Sequence, residues 1–493
     1  MLFNSVAFIA GFLPITLAGF HLLKEYGGGR AARLWLLLAS LIFYGWWSVP
    51  YLGLILVWTI TNFWAGRFIL GARVANPSLA RLLLIAAVML NLSLLAYFKY
   101  AVFISGNIST LVGLDFTLAA VTLPLGISFH TFQQIAYLSD VHRGGVSKYT
   151  LSEYLLFVCF FPQLIAGPIV HHAELTPQFH DEKRFRLSQC NFSEGTAFFT
   201  IGLVKKLLLA DPLSAIATQI FSGSEIVSPG FVDAWLGTIA FGLGLYFDFS
   251  AYSDMAVGLA RLFGVRLPYN FASPYQSTSI MDFWRRWHMT LSRWLRDYLY
   301  IPLGGSRRGA SRRYLNLMIT MLLGGLWHGP SWTFVVWGGL HGLFLAINHG
   351  WHYLVARAGT RGHKLIFPRA LGQALTLASV SIAWVFFASA SWEVAWGTLS
   401  GLFGINGLTL DSKLLPHILD KNLPLLAASI GIVLLAPNSQ QLIDGRKFDP
   451  HEPQIWPRWH FKMTLRQAAL IGTAFACCLS LLGKPKEFVY FQF

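Results

Sequence analysis

An all-α, polytopic membrane protein is the fold class this sequence predicts, and three observations predict it. Of its 493 residues, 55% are hydrophobic and only 12% charged, about half the charged share of a typical soluble domain. The apolar residues fall into long uncharged runs, with cations gathered in the short stretches between them. The 45 glycines and 18 tryptophans fit the same solvent, since transmembrane helices tolerate glycine and tryptophan anchors at the lipid–water interface. A soluble fold could not cover this much apolar surface, so lipid is the expected solvent for most of it.

The elements follow in chain order. Residues 1–23 read as a first span, because no cation precedes the apolar stretch and no small-residue cleavage site follows it. The uncharged run 34–66 has Arg30 and Arg33 before it and Arg67, Arg73 and Arg81 after it. Cations at both ends imply an even number of crossings, hence a helical hairpin turning near Pro50. Further spans are expected over 82–98, 116–139, 154–169, 195–209, 231–246, 370–392, 423–436 and 467–483. With segments that dip in and return, the total is about 11 or more transmembrane or re-entrant helices. No internal repeat or low-complexity linker is visible. The expected organisation is one membrane domain over 1–493, with 1–360 as its core and 361–493 as peripheral helices. The polar loop 441–466 is too short for a separate catalytic domain.

Net charge is +15. Because the cations lie in short loops between apolar runs, they read as cytoplasmic loops facing anionic lipid or as a site for an anionic substrate, not as a nucleic-acid surface. The four cysteines, Cys159, Cys190, Cys477 and Cys478, form neither a disulfide framework nor a zinc pattern.

Residues 281–357 carry the chemistry. On a helical wheel over 281–300, Trp284, Trp287, Leu291, Trp294, Leu295 and Tyr298 share one face, and Asp282, Arg285, Arg286, Arg293, Arg296 and Asp297 the other. That is an amphipathic helix at an interface, not a span. His288 sits at the edge of the apolar face, over Trp284 and beside Ser292, as either a satisfied interfacial histidine or a site residue. After Arg307, Arg308, Arg312 and Arg313 comes an uncharged run, 314–356, followed by Arg357 and Arg361. This run should enter the membrane and return, turning at Gly329-Pro330, where the helix must break. His328 stands just before that turn, roughly 20 Å along the helix from Arg313. An imidazole at that depth is costly without a partner or polar cavity, so function is its default reading and a hairpin-apex structural histidine the other. Gly324, Gly325 and Gly329 would let a substrate or another backbone approach closely.

Other groups are weaker. Phe247-Asp248-Phe249-Ser250-Ala251-Tyr252-Ser253-Asp254 puts two carboxylates in an apolar region, where they line an aqueous cavity or pair with arginines, structural pairing being favoured. Lys205 and Lys206 should snorkel or mark a helix end. His171-His172 and His349/His352 lack a suitably spaced third metal ligand, and no HExxH, Walker loop, GxGxxG or GxSxG pattern occurs.

Two long motifs, Asp282-Phe283-Trp284-Arg285-Arg286-Trp287-His288 continuing through Leu291-Ser292 and Trp294-Leu295-Arg296-Asp297-Tyr298, and Leu323-Gly324-Gly325-Leu326-Trp327-His328-Gly329, resemble the membrane-bound O-acyltransferase family. The likeness is to its bacterial polysaccharide branch, typified by the alginate O-acetyltransferase membrane subunit. Leu123-Pro124-Leu125-Gly126-Ile127-Ser128-Phe129, Phe161-Pro162-Gln163-Leu164-Ile165-Ala166-Gly167-Pro168, the 247–254 motif and the terminal Tyr490-Phe491-Gln492-Phe493 extend it along nearly the whole chain. His130 departs from the branch, where another aromatic residue is expected. The resemblance implies a ring of tilted helices around a central funnel, with His328 as the defining histidine and His288 as the second active-site position. It implies a cytoplasmic acyl-CoA donor, acetyl-CoA, as cosubstrate, with no permanently bound cofactor and no metal. It further implies periplasmic SGNH-like acetyltransferase partners, polysaccharide-synthesis machinery and a place in the bacterial inner membrane. Arg285 and Arg296 would meet the donor phosphates, and Trp327, Asp248 and Asp254 complete the candidate binding set. The rivals are D-alanyl transfer to teichoic acid, and a non-enzymatic polysaccharide transporter or scaffold; the two matching halves common in transporters are not seen.

Overall fold

The computed structural model describes residues 1–113, 116–146, 149–222, 228–358, 367–408, 412, 414–417, 422–445, 461, 464–483 and 488. Every regular element among them is a helix. The first ten are α1 (Leu13–Gly45, entered through a π-helical turn at Ala7–Phe12), α2 (Val49–Ala75), α3 (Pro77–Leu95), α4 (Ala101–Val112), α5 (Ile127–Arg143), α6 (Leu151–Cys159), α7 (His172–His180), α8 (Gln189–Val204), α9 (Asp211–Phe221) and α10 (Phe231–Leu262). They continue as α11 (Ile280–Arg286), α12 (Met289–Leu295), α13 (Ala310–His328), α14 (Trp332–Arg357), α15 (Arg369–Ala388), α16 (Trp392–Leu402), α17 (Leu414–His417), α18 (Leu423–Leu435), α19 (Ser439–Asp444) and α20 (Leu465–Ser480).

Among the described residues, four helical stretches are long and apolar enough to cross a membrane: Ala7–Gly45, Val49–Ala75, Pro77–Val112 and Arg369–Ala388. Their surfaces are inverted relative to a water-soluble helix. α2 exposes Val57, Trp64 and Phe68 while it buries Thr59 and Asn62, as expected where the solvent is hydrocarbon and polar groups must be satisfied inside.

The break between α1 and α2 falls at 46–48, with Pro50 in the first turn of α2, where proline is tolerated. Two expected spans are shorter as helices. The stretch 116–139 becomes helical only at Ile127, after Pro124 and Gly126. The stretch 154–169 is helical only to Cys159, because the Pro162 ring would clash with the preceding turn; residues 160–170 form a wholly buried loop instead. α10 runs past its expected end at Tyr246 to Leu262, carrying Asp248 inside. Most of the polar loop 441–466, Arg361 and the terminal residues 490–493 lie outside the described residues.

The chain divides into two compact units: Met1–Leu203 with Tyr252–Tyr269 and α20, and Val204–Ala251 with Asn270–Phe461. The first unit has an aromatic heart, with Phe3 5.6 Å from Phe43 and Phe12 5.4 Å from Phe161. Beside it runs a buried polar belt. Trp58 Nε1 donates to Asn91 Oδ1 at 2.6 Å, and Asn91 donates to Asn62 Oδ1 at 2.7 Å. His130 joins this belt, its Nε2 lying 3.3 Å from Thr59 Oγ1 and 3.2 Å from Gln134 Nε2. His172 is held by Asp140 at 3.1 Å and the Tyr149 hydroxyl at 3.0 Å.

In the second unit Lys206 does not snorkel. It is fully buried, with Nζ 2.7 Å from Asp248 Oδ1 and 2.9 Å from Asp211 Oδ1. A buried ammonium is tolerable only with such partners.

Candidate active site

The site lies in the second unit, on α10 to α15. α11 starts at Ser279, whose Oγ accepts from the Asp282 backbone N–H at 3.2 Å. The single amphipathic helix expected over 281–300 is not formed, because the chain turns a corner at His288, which adopts a left-handed conformation (φ 40°, ψ 54°). Such a conformation costs about 1–2 kcal/mol. Contacts distant in sequence offset that cost: Met289 N–H donates to Asn270 O at 2.9 Å, Ala272 N–H to Arg286 O at 3.0 Å, and Thr290 Oγ1 to Asn270 Oδ1 at 2.6 Å. The facial division holds in part: Trp287, Leu291, Trp294 and Leu295 are buried and Arg285 and Arg296 exposed, while Trp284, Tyr298, Asp282, Arg286, Arg293 and Asp297 are half-buried.

The corner drives the His288 ring inward, to 1% exposure. It stands edge-on to Phe249 of α10 at 4.7 Å and lies 6.3 Å from Trp327. Burial pulls its pKa down to about 3, so the ring is a neutral imidazole at physiological pH.

His328 is the last residue of α13 and 6% exposed. Its ring is 5.0 Å from Trp327 and 5.1 Å, edge-on, from both Trp337 of α14 and Phe387 of α15. The two histidines therefore share one indole, that of Trp327. Trp337 stacks on Trp384 at 5.9 Å, and Trp384 meets Trp287 at 5.1 Å. Trp384 and Tyr275 also line an apolar cavity of about 320 Å³, with Trp235 and Thr238 on its other walls.

The expected hairpin turn is present. α13 stops at His328, Gly329 is extended, and α14 begins after Ser331, whose Oγ accepts from Thr333 N–H at 3.2 Å. The glycines admit another backbone. A Cβ on Gly325 would lie 2.2 Å from Phe334 O, and one on Gly338 2.2 Å from Met321 O. One on Gly329 would lie 2.2 Å from the Phe334 ring.

Of the residues proposed from the sequence, the structure brings His288, His328 and Trp327 together. Arg285 is on the exposed face, and the charges of Arg285 and Arg313 both act on His349 near the end of α14. Arg285, Arg313 and His349 thus lie near one another, at the opposite end of α13 from His328. Arg296 pairs with its neighbour Asp297, at 2.7 and 3.2 Å. Asp248 pairs with Lys206, the structural ion pairing favoured from the sequence, with a lysine as partner. Asp254 is buried in the first unit. Sequence reasoning missed His341, fully buried on α14, with Nδ1 accepting from Trp284 Nε1 at 3.2 Å. The signal was there: it too is a histidine inside the uncharged run 314–356, one turn beyond Trp337.

The model of the membrane-bound O-acyltransferase family matches residues 80–391, which include His288, Trp327, His328 and His341. A peptidoglycan O-acetyltransferase of Helicobacter pylori is 40% identical over 83% of this chain and 81% of that protein. A probable alginate O-acetylase AlgI of Pseudomonas syringae pv. tomato is 43% identical over 82% of this chain and 75% of that protein. A teichoic acid D-alanyltransferase of Streptococcus thermophilus is 28% identical over 46% of this chain and 57% of that protein. The family match spans more than half of the chain and the O-acetylating relatives align over most of it: this acyltransferase belongs to the membrane-bound O-acyltransferase family.

Proposed function

We propose that this enzyme takes an acetyl group from cytoplasmic acetyl-CoA and passes it across the bacterial inner membrane for O-acetylation of an extracytoplasmic polysaccharide, an alginate-like exopolysaccharide foremost. The reading rests on one observation above all: two buried histidines meet around a single indole, Trp327, at the closed end of a helical hairpin. In this reading His328 is the general base. It takes the acceptor hydroxyl's proton as the oxygen bonds to the acetyl carbonyl carbon, and the coenzyme leaves as its thiolate. His288, held neutral, orients the thioester and stabilises charge developing on it. Arg285, Arg313 and His349 face the donor phosphates, and α13 spans the roughly 20 Å between that cluster and His328.

The O-acetylating relatives support acetyl transfer to a polysaccharide. Membrane-crossing helices support a multi-pass enzyme with donor and acceptor on opposite sides, SGNH-like periplasmic partners completing delivery to the polymer. The likeness to teichoic acid D-alanyltransferases supports D-alanyl transfer as a second reading. Replacing His328 by Ala, with membrane insertion checked by fractionation, should abolish acetyl ester on the polymer. Full acetylation by an inserted H328A enzyme would overturn the proposal.

A further inference from the structure

Two neighbouring rings, Trp337 against His328 and His341 behind Trp337, carry buried N–H donors that have no hydrogen-bond acceptor among the described residues: Trp337 Nε1 and His341 Nε2. The protonation of His341 is settled by its neighbour. Its Nδ1 accepts from Trp284 Nε1, and an indole nitrogen can only donate, so the neutral ring carries its proton on Nε2. Phe283 lies parallel to that ring at 6.2 Å and fixes its plane. The rings of His341 and Trp337 are neighbours, 4.8 Å apart, and Trp337 stands edge-on to His328 at 5.1 Å.

Buried donors are nearly always paired, and a donor without an acceptor is costly where phenylalanine or leucine would fill the same space. Unsatisfied donors on two neighbouring rings, one of them against the residue proposed as general base, are the chemistry that receives an oxygen on which negative charge accumulates. We infer that His341 Nε2–H and Trp337 Nε1–H receive the carbonyl oxygen of the acyl group in transit. The inference rests on the transfer reaction proposed above. As the acceptor oxygen bonds to the carbonyl carbon, the carbonyl π pair moves onto this oxygen, where the two donors hold it. On collapse the pair returns, the C–S bond breaks, and the sulfur leaves with the bonding pair while His328 keeps the hydroxyl proton.

The alternative is that His341 serves only to anchor Trp284 through Nδ1. Asparagine places its amide where Nδ1 was, and glutamine places its amide where Nε2 was, so the two substitutions separate the roles. Membranes from cells carrying each full-length variant are given labelled acetyl-CoA. The initial rate of label entering the polymer is divided by the amount of enzyme in the membrane. H341Q should stay within about tenfold of the wild type, while H341N and W337F should each fall about 100-fold. Wild-type rates for H341N or W337F, or equal losses for H341N and H341Q, would overturn the inference. Should neither His341 variant accumulate, W337F decides alone. H328A runs alongside: if it is as active as the wild type, the reaction itself is misassigned and this inference falls with it.

Discussion

At the scale of single residues, His288 couples a backbone conformation to a chemical group. Its left-handed φ of 40° suits few side chains, chiefly Gly, Asn, Asp and His. H288N should therefore fold, and its transfer rate per enzyme should drop about 100-fold by the loss of the imidazole, measured against wild-type membranes. Burial also makes the residue acid-sensitive. Its pKa is about 3 in the folded chain against an ordinary 6.5, so between those values the unfolded chain binds the proton and the folded chain does not. Its contribution to stability is present above pH 6.5 and is lost as pH falls toward 3. Thermal unfolding in detergent should show a lower midpoint at pH 5 than at pH 7, with a smaller difference in H288N. His288 and His328 were legible as candidates because each is a titratable ring in a long motif, at the edge of an apolar face or inside an uncharged run. His341 carries the same signal without a motif around it. The corner at His288 was not legible at all, because a wheel built on one helix has no place for Asn270 gripping the chain from outside.

At the scale of elements, the hairpin α13–α14 is closed by backbone against backbone. G325A should cost about 1–3 kcal/mol or more by overpacking, since its Cβ would meet Phe334 O at 2.2 Å. G350A, on the same α14 but with nothing within 4 Å of the added carbon, should be neutral; melting of the two purified variants checks the contrast. The π-helical turn 205–210 is tied to α10 by Lys206. K206M would strand Asp248 in the interior at about 3–5 kcal/mol, and D248N added to it should restore part of the loss, read as membrane accumulation. The break near Pro50 and the turn at Gly329-Pro330 were readable because proline and glycine punctuate helices locally. The loop 160–170 was misread as part of a span because buried loop and buried helix have the same apolar composition. Only Pro162 hinted otherwise.

At the scale of the whole molecule, the low charge fraction and the apolar exterior of α2 tell one story: the membrane is the solvent. Part of the positive excess is local: Arg285 and Arg313 both lie near His349 at one end of α13, where the reading proposed above puts the donor phosphates. Raising ionic strength from about 0.1 to 1 M shortens the screening length from roughly 10 to 3 Å. KM for acetyl-CoA should then rise several-fold with kcat little changed, and R285A should flatten that dependence. Family and chemistry were legible from two motifs. The division into two compact units was not, since contacts that join residues 204–251 to 270–461 leave no mark in local composition. The glycine seam between α13 and α14 bears on how firmly His328 is held. Helices touching main chain to main chain have no slack in which to slide, so the ring at the end of α13 is locked in register against α14.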